Sequence, residues 1–260
     1  MSPVPPAYPD PRQLLQGKSV VVTAAAGTGI GFAVARRCAE EGGRVLLSDV
    51  HERRLGEAAD QLEQLTGIRP PTAVCDVTHE AQVQGLIERA VDALGGIDVM
   101  INNAGLGGDV PLVDMTDGQW AAVLDVTLTG TMRCTRAALR HMVPRGSGAV
   151  VNNASVVGWR AQAGQTHYAA AKAGVMALTR CAAMEAADAG VRVNCVAPSL
   201  AMHPFLAKVS DQAFLDSLAE QEAFGRAAEP WEVANVMVFL ASDYSSYMTG
   251  EVVAVSSQHP

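Results

Sequence analysis

Short apolar runs alternate with longer stretches of helical periodicity along most of the chain. The runs are rich in Val, Leu and Ala, as is typical of strands that are buried on both faces. Such strands, separated by helices, form a parallel sheet that is covered on both sides. The pattern therefore predicts an α/β fold with a three-layer, doubly wound parallel sheet, a Rossmann fold. The predicted strands cover residues 19–23, 44–48, 72–75, 99–102, 149–152, 192–196 and 252–255, and the predicted helices cover residues 31–41, 53–65, 79–94, 117–140, 167–189 and 230–241.

No linker-like composition interrupts residues 17–260, so this stretch is predicted to be one domain. Residues 1–16 differ, because five prolines precede Arg12. We predict an N-terminal Pro-rich arm that is either mobile or a strap contacting another subunit.

The composition excludes several classes of partner. A content of 49% hydrophobic and 18% charged residues suits a globular core, and the net charge of −8 indicates no nucleic-acid partner. No apolar run reaches the roughly 18–20 residues that span a bilayer, and the first residues lack the pattern of a signal peptide. The five cysteines are scattered without ligand spacing. We therefore predict a cytoplasmic protein with reduced thiols, no membrane partner and no metal site.

A glycine-containing turn joins the first predicted strand to the first predicted helix. Glycines at this place let the backbone approach a pyrophosphate, and the helix amino terminus offers amide donors and a favourable dipole. The position between a strand and a helix makes the turn a strong candidate for dinucleotide binding. The candidate residues in the turn are Thr23, Ala25, Gly27, Thr28, Gly29, Ile30 and Gly31.

Asp49 follows the second predicted strand, eighteen residues after Gly31. A carboxylate there can accept hydrogen bonds from the adenosine ribose and repels a 2′-phosphate. The sequence therefore favours NAD as the cofactor. Arg53 and Arg54 lie close by in sequence and keep NADP as the alternative.

Tyr168 and Lys172 lie four residues apart on a predicted helix, and Ser155 lies thirteen residues before the tyrosine. Residues four apart share one face of a helix. An ammonium group one turn away favours the ionised form of a phenol, which suits an acid/base tyrosine. Singly, these residue types are more often packing, capping or solvated residues, but at this spacing behind a dinucleotide fold they indicate a catalytic set.

These motifs resemble those of the short-chain dehydrogenase/reductase family, and the resemblance covers residues 17–255. Besides the turn, Ser155 and the Tyr168/Lys172 pair, it rests on Cys75-Asp76-Val77, Asn102-Asn103-Ala104-Gly105, Arg192-Val193-Asn194, Phe239-Leu240-Ala241-Ser242-Asp243 and Thr249-Gly250.

The resemblance implies further cofactor contacts and an assembly. Asp76 and Val77 are expected at the adenine, Asn103, Ala104 and Gly105 along the cofactor, and Pro198 on the nicotinamide side. Tyr168 and Lys172 are expected to contact the cofactor as well as to catalyse. The family commonly pairs through two long helices, here residues 117–140 and 167–189, so a homo-oligomer, either dimer or tetramer, is expected.

The catalytic roles also follow from the resemblance. Tyr168 would transfer the proton, Ser155 would hold the substrate oxygen, and Lys172 would support the tyrosine and bind the nicotinamide ribose. Thr127 stands where the family has an asparagine, and its hydroxyl is expected to replace that residue in part. The sequence departs from the family pattern at three further places, namely Ala24-Ala25-Ala26 at the start of the turn, Pro198-Ser199, and Ser256-Ser257-Gln258.

Within the family, residues 23–31, 152–162, 169–181 and 256–260 resemble the sequences of an actinobacterial subgroup associated with steroid breakdown. This implies an NAD(P)-dependent oxidoreductase that interconverts a secondary alcohol and a ketone on a bulky alicyclic small molecule, such as a hydroxy-indanone propanoate. A 3-oxoacyl thioester reductase is the alternative enzyme. A non-catalytic dinucleotide-sensing protein and a structural subunit of a hetero-oligomer are alternatives from other classes. For substrate contacts we name Trp159, Arg160 and His203, with residues 199–224 as a lid over the cleft.

Overall fold

The computed structural model of the protein describes residues 5–202 and 212–257, apart from the side chains of residues 212–214. Strands and helices alternate along these residues. The strands are β1 (Ser19–Val22), β2 (Arg44–Asp49), β3 (Thr72–Val74), β4 (Val99–Asn102), β5 (Gly148–Asn153), β6 (Val191–Pro198) and β7 (Val252–Val255). The helices are α1 (Ile30–Glu40), α2 (Glu52–Thr66), α3 (Glu80–Leu94), α4 (Asp117–Leu124), α5 (Gly130–Met142), α6 (Thr166–Ala186), α7 (Gln212–Gln221) and α8 (Pro230–Ala241).

The strands form one parallel sheet in the order β3-β2-β1-β4-β5-β6-β7. The order changes direction between β1 and β4, so that the chain leaves β1 to one side for β2 and β3 and returns on the other side for β4. This confirms the predicted doubly wound fold. In such sheets, ligands bind outside the carboxyl ends of the strands at the point of reversal.

Each central strand buries side chains on both faces of the sheet. Val20 and Val22 belong to the core that contains α1 and α8, whereas Val21, between them, belongs to the core that contains α3 and α5. Alternate residues of a strand point to opposite faces, so a strand covered on both sides needs apolar residues throughout. This explains why the strands are continuous apolar runs in the sequence.

The helix predicted over residues 117–140 is not continuous, which is a correction to the sequence analysis. A π-helical segment, Asp125–Thr129, separates α4 from α5. Such segments are rare and mostly occur as single turns inside α-helices, so the sequence pattern predicted one continuous helix. Most other predicted boundaries differ by one or two residues, and α7 was not predicted as a helix.

The N-terminal arm lies against the protein's own helices α1 and α8. The Tyr8 ring packs at 5.4 Å from the Trp231 ring, and its hydroxyl donates to Glu40 Oε2 at 2.6 Å. The backbone amides of Arg12 and Leu14 donate to Glu41 Oε2 at 2.8 and 3.0 Å. The described part of the arm is therefore a strap on its own subunit.

Within the described ranges, no helix is both long enough and apolar enough to cross a membrane. The same residues contain no group of His, Cys, Asp or Glu side chains arranged to bind a metal ion. All five cysteines are free thiols, and Cys181 is the exposed one.

Candidate active site

The turn between β1 and α1 lies at the reversal point of the sheet and depends on close backbone contacts. A Cβ on Gly31 would lie 2.1 Å from the Ala24 oxygen and 2.5 Å from Asn103 Nδ2, so only glycine fits there. Gly27 has φ +133°, a conformation that side chains rarely adopt. Helix α1 begins after Gly29 with no side-chain cap and no acidic residue in its first turn. Its first amides are therefore available to an anion such as a pyrophosphate.

Not every predicted residue of the turn is accessible. Gly27, Gly29 and Ile30 are partly exposed and Thr28 is exposed, as a phosphate contact requires. Ala25 is fully buried, and its amide donates to the Ser48 oxygen. Thr23 is 2% exposed, and its hydroxyl accepts from the amides of Asn103 and Ala104 at 3.0 and 3.1 Å. Thr23 thus fastens the loop after β4 to the turn.

Asp49 ends β2 beside this turn, and its carboxylate is 7% exposed. It accepts from the Ala26 amide at 3.1 Å and from the His51 amide at 3.0 Å. Burial raises the pKa of Asp49, while the Ala26 hydrogen bond and the charge of Arg54 act in the opposite direction. The carboxylate is thus fixed at the edge where an adenosine ribose would lie.

The remaining predicted cofactor residues lie at the same edge of the sheet. Asp76, one-third exposed, accepts from Thr78 and lies 3.4 Å from His79 Nδ1. Val77 is buried against Gly130, where a Cβ would lie 2.6 Å from Val77 Cγ2. Pro198 ends β6, and its oxygen is 3.5 Å from Ser155 Oγ.

Tyr168 and Lys172 project from α6 next to the glycine-rich loop after β4. Lys172 is 3% exposed, its Nζ donates to the Asn153 oxygen at 2.6 Å, and this Nζ lies 5.5 Å from the centre of the Tyr168 ring. A Cβ on Gly107 would be 3.7 Å from Tyr168 Cδ2, and a Cβ on Gly105 would be 3.5 Å from Lys172 Nζ. The structure therefore brings the phenol, the ammonium and the loop together, as the sequence predicted.

Ser155 lies two residues beyond β5, at the start of the short 3₁₀ turn Val156–Gly158. Its Oγ accepts from the Val157 amide at 3.3 Å. A Cβ on Gly158 would lie 3.0 Å from the Ala173 nitrogen and 3.1 Å from the Lys172 carbonyl carbon. This close contact holds the serine turn against α6, the helix that carries Tyr168 and Lys172.

Thr127 is completely buried in the π-helical segment, and its hydroxyl both donates and accepts a hydrogen bond. It accepts from the Leu106 amide at 2.9 Å and donates to the Leu106 oxygen at 3.0 Å. The Thr127 carbonyl accepts from the Thr131 hydroxyl at 2.8 Å. Thr127 therefore holds the loop that lies on Lys172 and Tyr168.

The sequence analysis did not single out Asn153, the last residue of β5. Its Nδ2 donates to Asn103 Oδ1 at 2.9 Å, and its backbone oxygen accepts from Lys172. The available signal was a second asparagine at the end of an otherwise apolar run.

The structure describes two of the three predicted substrate residues. Trp159 is 52% exposed at the end of the serine turn, and Arg160 follows it, partly buried. His203 lies outside the described residues, as does most of the predicted lid. Of the lid, residues 199–202 and 215–224 are described in full, including most of α7.

The site can now be compared with known proteins. A family model described as enoyl-(acyl carrier protein) reductase matches residues 24–257. The crystal structure of a short chain dehydrogenase from Mycobacterium smegmatis has a TM-score of 0.87 and 57% sequence identity, with 98% of each chain covered. The chain belongs to the short-chain dehydrogenase/reductase family.

This short-chain dehydrogenase/reductase is similar to two curated enzymes. It is 63% identical over 249 residues to the (5R,7aS)-5-hydroxy-7a-methyl-1-oxo-2,3,5,6,7,7a-hexahydro-1H-indene-carboxyl-CoA reductase of Mycobacterium tuberculosis, with 95% of each chain covered. It is 39% identical over 241 residues to the 3-oxoacyl-[acyl-carrier-protein] reductase of Thermotoga maritima, covering 93% of this chain and 97% of the relative. As a member of the family, the protein is an oxidoreductase.

Proposed function

We propose that the protein interconverts a secondary alcohol and a ketone at the site formed by Ser155, Tyr168 and Lys172. The observation that carries the proposal is the Tyr168/Lys172 pair, with Lys172 almost fully buried and connected to the dinucleotide turn through Asn153 and Asn103. The hydride chemistry is supplied by a nicotinamide dinucleotide when one is bound. The turn between β1 and α1, with its uncapped helix end and its obligatory glycine at position 31, suits the pyrophosphate of such a cofactor.

Each catalytic side chain has a separate task in this proposal. Tyr168 gives a proton to the carbonyl oxygen during reduction, or removes one from the hydroxyl during oxidation. Ser155 orients the same oxygen by a hydrogen bond, which holds the reacting carbon at one place. The Lys172 ammonium, one helical turn from the phenol and 5.5 Å from the centre of its ring, supports proton transfer by Tyr168 and binds ribose hydroxyls. Thr127 supports these groups through the Leu106 backbone.

We propose NAD as the preferred dinucleotide. Asp49 is the supporting residue, because its fixed carboxylate would accept from the ribose hydroxyls and repel a 2′-phosphate. Arg53 and Arg54 follow on α2, and the charge of Arg54 already acts on Asp49. NADP remains the alternative that binding and kinetic measurements with both dinucleotides decide.

For the substrate, we propose a coenzyme A thioester of a hydroxylated methyl-oxo-hexahydroindene carboxylic acid, a remnant of steroid C and D rings. The support is the 63% identity to the mycobacterial reductase of that name over 95% of both chains. We assign Trp159, which is half exposed, to the apolar ring system and Arg160 to an anionic group of the substrate. His203 stays a candidate contact from the sequence alone.

A substrate panel tests this proposal. Purified protein is mixed with NADH or NADPH and with the hexahydroindanone carboxyl-CoA, the free acid or acetoacetyl-CoA, and nucleotide oxidation is followed by absorbance. We expect turnover of the hexahydroindanone thioester with NADH. Activity confined to acetoacetyl-CoA would contradict the assignment and favour the second candidate.

The second candidate is a 3-oxoacyl thioester reductase. Two observations favour it, namely the description of the matching family model and the 39% identity to the Thermotoga maritima enzyme. Both candidates share the same proton-transfer groups, so the choice between them depends on the substrate pocket and not on the catalytic set.

We also propose a cytoplasmic homo-oligomer. Free thiols at all five cysteines suit a reducing compartment. Exposed apolar side chains on α4 and α6, Trp120 at 37% and Met184 at 79%, suit a contact between subunits through these helices. Light scattering on the eluted protein distinguishes a monomer, which would contradict the proposal, from a dimer or tetramer.

A further inference from the structure

A chain of three hydrogen bonds links the dinucleotide turn to the catalytic lysine. Asn103 Nδ2 donates to the Ala24 oxygen at 3.2 Å, and Asn153 Nδ2 donates to Asn103 Oδ1 at 2.9 Å. Lys172 Nζ then donates to the Asn153 backbone oxygen at 2.6 Å. Asn153 is thus the middle link of this chain, because its side chain holds Asn103, which reaches the turn, and its backbone holds the lysine.

The turn needs to be held at Ala24. This residue has φ +49°, a left-handed conformation that is unfavourable for alanine because of its Cβ. Residues in such conformations persist only where their surroundings fix them. The Asn103 amide is one of these restraints, since it holds the Ala24 carbonyl and packs directly over Gly31 in the first turn of α1.

The Asn153 side chain is poorly suited to a purely structural task. Asn153 is 9% exposed, and its Oδ1 is buried without a hydrogen-bond partner among the described residues. A buried amide with an unpaired oxygen lowers stability compared with an apolar side chain of the same shape. Its one side-chain hydrogen bond is to Asn103, so the benefit of the amide lies in the orientation of Asn103.

We propose that Asn153 is a positioning residue for cofactor binding, whose carboxamide fixes Asn103 and through it the Ala24–Gly31 part of the dinucleotide turn. The inference rests on the proposed cofactor site. The backbone of Asn153 serves Lys172 separately and is kept in any substitution, because β5 pairs with β6 at Asn153 and Val196. The side chain should therefore control affinity for the dinucleotide more than the rate of the chemical step.

The test is the Asn153→Leu variant, which keeps the shape and removes the amide. Asn235→Leu is the matched control, because Asn235 on α8 also has a buried, unpartnered Oδ1 but lies by the N-terminal arm. The dissociation constant for NADH is measured by fluorescence titration, together with the thermal midpoint of unfolding. We expect the dissociation constant for NADH to be on the order of tenfold higher in Asn153→Leu than in the wild type, and unchanged in Asn235→Leu. Neither variant should lose thermal stability.

Two further measurements keep the result interpretable. Asn153→Ala replaces the leucine variant if the latter does not fold. The double variant that combines Asn153→Leu with Asn103→Ala should bind NADH no more weakly than Asn103→Ala alone, because both residues act through the same hydrogen bond. In turnover, the KM for the dinucleotide should rise by a larger factor than kcat falls. An unchanged dissociation constant, or additive effects, would overturn the proposal, whereas absence of any NADH binding to the wild type would overturn the cofactor site itself.

Discussion

At the scale of single residues, the site is built from small side chains that allow backbones to meet. Gly31 admits the Ala24 oxygen, Gly158 admits the backbone of α6, and Gly105 leaves room for Lys172. Since a Cβ at Gly31 or Gly158 would lie within 3.1 Å of backbone atoms, alanine there would force the chain apart. The polar groups of the site are held in place by hydroxyl and amide side chains.

The hydroxyl of Thr127 gives the first prediction. Thr127→Val keeps the shape but leaves the Leu106 amide and carbonyl without their partner, which costs about 1 kcal/mol and lowers the thermal midpoint by about 2–4 °C. Turnover should fall on the order of tenfold, because the loop on Lys172 loosens. Thr127→Ser keeps both hydrogen bonds and is the control. Equal turnover in the Val and Ser variants would show that the hydroxyl is not needed.

Asp49 gives the second prediction, at the dinucleotide. Asp49→Asn removes the negative charge, so the ratio of kcat/KM for NADPH to that for NADH should rise by at least about tenfold. The measurement is steady-state kinetics with both dinucleotides. Asp92→Asn, at an exposed position on α3, is the control and should leave the ratio unchanged. A ratio that stays constant in Asp49→Asn would mean that the carboxylate does not face the ribose.

Much of this residue-level arrangement followed from the sequence. The sequence was sufficient to predict Tyr168, Lys172 and Ser155, because their helical spacing and their order along the chain can be read from it directly. The burial of Ala25 and the bridge from Asn153 to Asn103 could not, since both depend on how β4, β5 and the turn meet in space. The sequence indicated that Thr127 belongs to the site but not what its hydroxyl binds, because its partner is the backbone of a residue twenty-one positions away.

At the scale of elements, the two ends of α1 have different tasks. Its first turn belongs to the proposed dinucleotide site, whereas Arg37 in its last turn and Glu41 just after it hold the N-terminal arm. The Arg37 Nη2–Glu41 Oε1 pair is 2.6 Å long, with side chains only 5% and 1% exposed. The sequence showed a Pro-rich arm but not its partner, because the contact joins residues about thirty positions apart.

This buried pair gives the third prediction. Glu41→Gln leaves the buried Arg37 charge with Glu40 as its remaining acidic partner, so the free energy of unfolding should fall by about 2 kcal/mol, the loss of a hydrogen bond to a charged group. Glu57→Gln breaks an ion pair of the same i, i+4 spacing with Arg53, where the side chains are 59% and 80% exposed. That control should change stability by less than about 1 kcal/mol. Urea denaturation of both variants measures the difference, and equal losses would contradict the account.

The π-helical segment, like α7, was not predicted from the sequence. It places Thr127 toward Leu106, and its Leu128 packs into the space left by Gly174, where a Cβ would lie 2.8 Å from Leu128 Cδ2. π-Helical segments are rare and mostly interrupt an α-helix for a single turn, so the prediction of one continuous helix did not include it. Such segments occur frequently at functional sites, and this one supports the proposed catalytic loop.

At the scale of the whole molecule, the order of strands explains why distant parts of the sequence meet. The turn after β1, Asp49 after β2, the loop after β4 and Ser155 after β5 all lie at the carboxyl edge of one parallel sheet. The alternation of apolar runs with helical segments predicted this architecture correctly, because right-handed crossovers in a parallel sheet allow only a few strand orders. The substrate pocket was less predictable, because its walls come from irregular segments without periodicity.

The central claim is that Tyr168 is the proton-transferring residue of a dinucleotide-dependent oxidoreductase. The most direct measurement compares wild type and Tyr168→Phe for NADH oxidation with the hexahydroindanone carboxyl-CoA, alongside NADH binding by fluorescence. The account predicts that turnover falls by at least about 100-fold while NADH still binds, because only the phenolic hydroxyl is lost. Turnover retained in Tyr168→Phe would contradict it, and so would a wild-type protein that binds NADH but reduces no carbonyl compound.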